Sequence, residues 1–281
     1  MIQGSPVIAV LLTCHNRKDT TLRCLDTLFS QQGNGERYRM DVFLVDDGST
    51  DGTGTAVAAR FPQVHLIRGD GNLFWNRGLH LAWESATANA DYDFYLWLND
   101  DTFLYPQAVN IMLGSVEKAG PDAIITGATQ SAVTKQCTYG GETRDGKKVI
   151  PNGSLQRCEL MNGNFVLISR VVFEKVGMLD PLFHHAIGDR DYGLRAIKRG
   201  CTILLTGEYI GTCEGHVRLP RWCLPDVPLR QRMSSLYSPL GYCHPYYFFV
   251  YEKRHFGILP AVKHFFLIHL RMLIPVLWKG Q

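Results

Sequence analysis

Val7-Ile8-Ala9-Val10-Leu11-Leu12 is an unbroken apolar run that ends at Thr13 and gives way to the polar stretch Cys14-His15-Asn16-Arg17-Lys18. A strand with one solvated face alternates apolar and polar residues; a strand covered on both faces does not. The run predicts a strand of a parallel sheet, buried on both sides. Outward from it, Leu22, Leu25, Leu28 and Phe29 share one helical face. The unit then recurs. Val42–Val45 ends at Asp46-Asp47-Gly48-Ser49, a short helix follows over about 53–60, and Val64–Ile67 is a third strand. After the turn Gly69-Asp70-Gly71-Asn72, Leu79, Ala82, Trp83 and Ala86 mark a helix, and the strand Phe94–Leu98 runs into Asn99-Asp100-Asp101. Pro106 opens a helix ending near Gly120-Pro121, before a strand at Ala123–Thr126. Such alternation predicts an α/β chain with a doubly wound, mostly parallel sheet. Ligands of these sheets bind beyond the carboxyl ends of the strands. Thr13–Arg17, Asp46–Ser49 and Asn99–Asp101 all fall there.

Past residue 127 the pattern changes. Gly140-Gly141, Gly146 and Pro151-Asn152-Gly153 predict loops and hairpins. Asn162-Gly163-Asn164 leads into the strand Phe165–Ile168; helices follow over about Val171–Val176 and Asp191–Arg199, and then a strand over Cys201–Leu205.

Asp100 and Asp101 follow a buried strand, and adjacent carboxylates repel unless positive charge lies beside them. A divalent cation on oxygen ligands removes that penalty and can bridge a diphosphate. Asp46 and Asp47 sit in good turn-forming sequence, and His184 and His185 lie just before Asp189.

The order and spacing of these motifs resemble the family 2 glycosyltransferases of GT-A fold, over residues 7 to 216. Asp46-Asp47-Gly48-Ser49 is similar to that family's Asp-Asp-Gly-Ser signature, and Asn99-Asp100-Asp101 to its Asp-x-Asp position. Asn162-Gly163-Asn164-Phe165 resembles the acceptor-side glycine-rich strand. Gly188-Asp189-Arg190-Asp191-Tyr192-Gly193-Leu194-Arg195 resembles the segment that carries the catalytic base. The resemblance implies inverting, metal-dependent transfer from a UDP-, dTDP- or GDP-sugar to a glycan or lipid-linked acceptor. It implies a donor site at Thr13, Asn16, Arg17, Asp46, Asp47, Gly69, Asn72, Trp75, Asn76, Asn99 and Asp100. Mn²⁺ or Mg²⁺ would sit on Asp101 and His216, and the acceptor near Asn162, Gly163, Asn164 and His185. Asp189 matches the base and Asp191 is the second candidate. Gly188 departs from the pattern, because an acid often precedes the base. The family resemblance also implies bacterial surface polysaccharide synthesis, and within the family the Gly69–Asn72 turn is similar to rhamnosyl- and galactofuranosyltransferase-like members.

The 281-residue chain carries a net charge of +3, unevenly spread. From Val217 onward nine Lys and Arg face two acids, a net +7, which leaves −4 on residues 1–216. We expect a catalytic domain over 1–216 and a basic, aromatic-rich helical extension over 217–281. The bulk charge does not point to nucleic acid. The tail's mixture of basic and aromatic residues suits an anionic membrane surface, or equally a helical pair packed on the catalytic domain or a dimer contact. Eight cysteines without a Cys-x-x-Cys pair, and no basic leader before Val7–Leu12, predict a cytoplasmic protein, peripheral at most on the inner membrane face. A sugar nucleotidyltransferase would carry a glycine-rich first loop, and Thr13–Lys18 has no glycine. A non-catalytic nucleotide-binding assembly module would lack a base. No Gly-x-Gly-x-x-Gly follows the first strand, against a dinucleotide oxidoreductase.

Overall fold

The computed structural model describes residues 4–215 and 219–278. The apolar run becomes β1 (Val7–Cys14), followed by α1 (Lys18–Phe29), β2 (Arg39–Asp46), α2 (Thr53–Arg60), β3 (His65–Arg68), α3 (Phe74–Asn89) and β4 (Phe94–Leu98). Next come β5 (Phe103–Leu104), α4 (Ala108–Ala119), β6 (Ala123–Gln130), β7 (Gly141–Glu142), β8 (Gln156–Cys158), β9 (Leu160–Met161) and β10 (Phe165–Ser169). The chain continues through α5 (Arg170–Val176), α6 (Gly188–Lys198), β11 (Thr202–Thr212), α7 (Leu229–Leu236), α8 (Pro245–Phe256) and α9 (Ile258–Leu273).

The main sheet runs β3-β2-β1-β4-β10-β6-β11-β5, with β8 paired to β11. Alternate residues of β1 enter two cores. Ile8, Val10 and Leu12 pack with α1, α2 and α4, and Ala9 and Leu11 pack with α3, α5 and α6. Both faces of the strand are therefore dry, which is why its sequence does not alternate; each fully buried Val, Ile or Leu contributes about 1.5–3 kcal/mol.

The strands β1 to β4 are parallel, so their carboxyl ends meet at one edge, where Cys14 pairs with Asp46. β10 is inserted antiparallel between β4 and β6, and Phe165 pairs with Leu98. An antiparallel strand brings its preceding loop, not its following one, to that edge. Asn162-Gly163-Asn164 thereby arrives beside Asn99, whose N–H donates to Asn164 O at 2.9 Å.

Two of the boundaries that differ from the sequence reading bear on the site. α6 begins at Gly188, so Asp189 stands in its first turn rather than in a preceding loop. β11 extends to Thr212 because it pairs along β6 beyond Leu205, through register shifts, and closes against β5. The segment after Leu219 forms α7, α8 and α9, with Gly257 alone joining the last two at φ +101°. Among the described residues, no helix is long and apolar enough to cross a membrane.

Candidate active site

A cavity of about 560 Å³ opens at the edge where β1, β2 and β4 end. Of the residues expected at a donor or acceptor site, Thr13, Arg17, Asp47, Trp75, Asn99, Asp100, Asn162, Gly163, Asn164 and His185 line it, together with Asp101 and Asp189. Asn16, Asp46, Gly69, Asn72, Asn76 and Asp191 do not. His216 lies outside the described residues.

The departures have local causes. Asn16 Oδ1 accepts from Thr50 N at 2.7 Å and so fastens the loop after β1 to the loop after β2. Asp46 is buried and closes its own turn by accepting from Ser49 N at 3.1 Å. Asp47 faces the cavity, yet its carboxylate accepts from the N–H groups of Gly71, Leu73 and Phe74 at 2.8, 3.0 and 2.9 Å. Those amides at the start of α3, which sequence alone offers to donor phosphates, already have an acceptor, and a capped helix end needs no external anion. Gly69 packs beneath Asp47. Asn72 is exposed, with its N–H on Asp70.

Asn76 is fully buried and its amide donates to Asp180 O and Phe183 O, both at 2.8 Å. It ties α3 to the segment before α6. This also accounts for Gly188: a Cβ there would collide with the Asn76 side chain.

The acid pair is held by a cation of the chain itself. Arg17 Nη1 lies 2.7 Å from Asp100 Oδ1 and 3.1 Å from Asp101 Oδ2. Thr21 Oγ1 also donates to Asp100 at 3.2 Å. Burial pushes the Asp100 carboxyl up to about 6 against the opposing pull of Arg17. Asp101 is the more open of the two and offers a hard carboxylate oxygen to the cavity. That chemistry suits Mg²⁺ or Mn²⁺, which commonly take one or two carboxylates and complete their shell with phosphates and water. Among the described residues no three His, Cys, Asp or Glu side chains are grouped to hold a metal. Cys213 Sγ lies 3.7 Å from Asp101 Oδ1 as a thiol donor; burial and then the Asp101 charge push it up to about 12.

Across the cavity, Asp189 Oδ2 accepts from Gly163 N at 3.0 Å and Oδ1 from Arg190 N at 2.8 Å. Burial raises its pKa above the ordinary carboxylate value, with Arg190 pulling the other way. Trp75 spans the floor between the two sides: its Nε1 donates to Asn99 Oδ1 at 2.6 Å, and its ring lies where a Gly163 Cβ would be. Burial, and then the Arg17 charge, lower the His185 pKa below the ordinary imidazole value.

Asp191, the second candidate for the base, is corrected by its surroundings. Its carboxylate is fully buried and receives Arg195 Nε, Arg254 Nη1 and His255 Nε2, each at 2.8 Å. Two of those partners come from α8, so Asp191 fastens the C-terminal helices to α6.

Sequence reasoning missed Cys14, His15, Phe74, Tyr139, Cys213, Leu240 and Tyr242 at the cavity. Cys14, His15 and Phe74 adjoin residues that had been singled out and follow from the strand ends. Tyr139, Leu240 and Tyr242 sit in no motif; only the folded chain brings them there.

The fold is shared with solved structures, a mannosyltransferase among them. The mannosyltransferase PcManGT from Pyrobaculum calidifontis, solved with GDP-Man and Mn²⁺, aligns with a TM-score of 0.59 and 16% identity, over 98% of this chain and 74% of that one. S. aureus TarS 1-349 aligns with a TM-score of 0.56 and 12% identity, over 96% of this chain and 80% of that one. The same TarS fragment with UDP-GlcNAc gives 0.55 and 12%, over 93% and 81%. No curated protein matches the sequence. The sequence pattern of Glycosyl transferase family 2 matches residues 9–177, more than half the chain, from within β1 through α5. On that match, the chain belongs to glycosyl transferase family 2.

Proposed function

We propose that this glycosyltransferase carries out an inverting transfer of a sugar from a nucleoside diphosphate donor to a hydroxyl of a glycan or lipid-linked acceptor. The observation that carries the reading is the opposition of two acidic groups across one cavity: Asp100 and Asp101 with Arg17 on one wall, Asp189 on the other. The nucleotide occupies the side of Thr13 and Asp47, with its diphosphate toward Arg17 and Asp101. A divalent cation on Asp101, Mn²⁺ or Mg²⁺, would supply positive charge to the diphosphate. Asp189, its carboxylate oriented by the Gly163 and Arg190 amides, takes the acceptor hydroxyl proton. The acceptor oxygen bonds to the anomeric carbon as the carbon–oxygen bond to the diphosphate breaks and its electron pair leaves on the phosphate oxygen. One displacement inverts the anomeric centre.

Within the family, a rhamnosyl- or galactofuranosyl-transferring role in surface polysaccharide assembly is supported by the Gly69–Asn72 turn, from which Gly71 reaches the cavity. Eight unpaired thiols support a reducing compartment, the cytoplasm.

The test is thermal unfolding with UDP, dTDP and GDP, each with and without Mn²⁺. A ligand at a hundredfold excess over its Kd stabilises by about 2.7 kcal/mol. A metal-dependent rise with one nucleotide is expected, and no rise with any of them at millimolar concentration would overturn the donor site.

A further inference from the structure

α9 is apolar on two opposite faces. Ile268 and Met272 are buried with Trp222 and Leu236. On the other side Leu259, Val262, Phe266, Leu270 and Leu273 recur at intervals of three and four residues and lie in solvent, with Leu259 80% and Phe266 66% exposed. A helix apolar all round is one whose second face also has a cover. The surface is concentrated: among the described residues, sixteen of the nineteen exposed large apolar side chains fall at or after Leu219. Contiguous exposure of that kind marks an interaction site, whereas scattered single residues do not.

Charge and length select the cover. Lys263 is exposed and flanks the apolar stripe, lying within a turn of both Leu259 and Phe266; Arg221, Arg230 and Lys253 are exposed on the same extension. Of its two acids only Asp226 is exposed, because Glu252 is buried against His264. A second copy meeting this face across a two-fold axis would set Lys263 against a like surface with no acid on the stripe. Anionic lipid headgroups complement it instead. At about 1.5 Å per residue, α9 is shorter than the roughly 30 Å of a bilayer core. It therefore lies in the interfacial plane, with its stripe in the acyl boundary.

The stripe also connects to the active site. Phe266 adjoins Phe265, whose ring lies tilted against His269 with centroids 4.5 Å apart, and Tyr237 Oη donates to His269 Nε2 at 2.7 Å. Tyr237 is itself exposed, and just beyond it Leu240 and Tyr242, each more than half exposed, line the cavity.

We propose that the outer face of α9 and the Tyr237–Tyr242 segment rest on an anionic bilayer and present the cavity to an acceptor carried on a lipid. The acceptor clause rests on the transferase reading above; the docking does not.

The test is flotation of the full chain with vesicles of phosphatidylcholine mixed with phosphatidylglycerol, beside vesicles of phosphatidylcholine alone. Flotation with the mixed vesicles is expected. It should weaken with salt, fall about fivefold or more in Lys263→Glu, and be lost in Leu259→Glu/Phe266→Glu. Both sites of the double variant are exposed; far-ultraviolet circular dichroism and nucleoside diphosphate binding, each unchanged, show that the fold and donor site persist. Absence of wild-type flotation, equal flotation of the double variant, or a dimer by light scattering that Phe266→Glu splits would each overturn the proposal. Flotation without nucleotide binding would leave the docking intact and fault the transferase reading instead.

Discussion

Replacing Asp191 by Asn keeps the volume of a fully buried side chain but removes the charge that Arg195, Arg254 and His255 share. Removing one partner of a buried ion pair costs about 3–5 kcal/mol, because the others are left uncompensated. Here the survivors keep some company: Arg254 retains Asp180 at 2.8 Å, and Arg195 donates to Val176 O and Met178 O at 2.9 and 2.8 Å. The expected loss in urea unfolding is therefore near the lower end, about 3 kcal/mol. Combining it with Arg254→Met should fall short of additivity by roughly 0.5–3 kcal/mol. The acid limb tests the same charge. Burial alone would raise the Asp191 pKa, but the hydrogen bonds from His255, Arg195 and Arg254 outweigh it and hold the carboxyl below its usual range. A depressed folded pKa gives stability that is present above the unfolded value of about 3.9 and lost as pH falls through the folded value. Asp191→Asn should flatten that decline while leaving turnover per folded molecule near wild type. A stability change under about 1 kcal/mol, a small effect on the scale of single substitutions, would refute the reasoning. So would loss of turnover in a fully stable variant, which would return Asp191 to the role of base.

Asp189→Asn is expected to lower transfer by about 10²–10⁴-fold while nucleotide binding persists. Because burial raises the Asp189 pKa, the acidic limb of wild-type kcat/KM should lie above about 3.9, and a rate profile from pH 4 upward checks it. Gly163→Ala would drive a methyl group into the Trp75 ring and loosen its bond to Asn99. A loss of about 1–3 kcal/mol is expected from overpacking, with a shift in tryptophan fluorescence. Arg17→Gln leaves Asp100 and Asp101 facing each other. Its unfolding temperature should be lower than wild type without metal and rise more on addition of Mn²⁺; an equal rise in both proteins would count against Arg17 as the resident counter-charge.

The sheet was legible because burial on both faces leaves a mark in sequence: β1, β2 and β4 read as continuous apolar runs, and each ends in a polar cluster. The direction of β10 was not legible, since a five-residue apolar strand reads alike in either direction. Side-chain roles divided along the same line. Asp101 and Asp189 reach the cavity as the motif pattern implied. Asn16 and Asn76 carry the same residue types to the same region but engage backbone groups of neighbouring loops, and Asp47 does so while still facing the cavity. Which amide an Asn or Asp meets depends on loops far apart in the chain: Asn76 binds carbonyls more than a hundred residues away. Tyr242 and Leu240 reach the cavity only because α8 docks on α6, an event no local pattern records.

That docking has a consequence for how the protein is made. The partners of Asp191 on α8 lie 63 and 64 residues downstream of it. At a synthesis rate of roughly 5–20 residues per second, the carboxylate emerges several seconds ahead of Arg254 and His255. During that interval the sheet and the strand-end wall of the cavity can already be assembled, while the wall bearing Leu240 and Tyr242 has no charge to anchor it. The wall bearing Leu240 and Tyr242 is thus fixed after the strand-end wall bearing Arg17, Asp47 and Asp101, so a nascent chain builds one side of the cavity before the other.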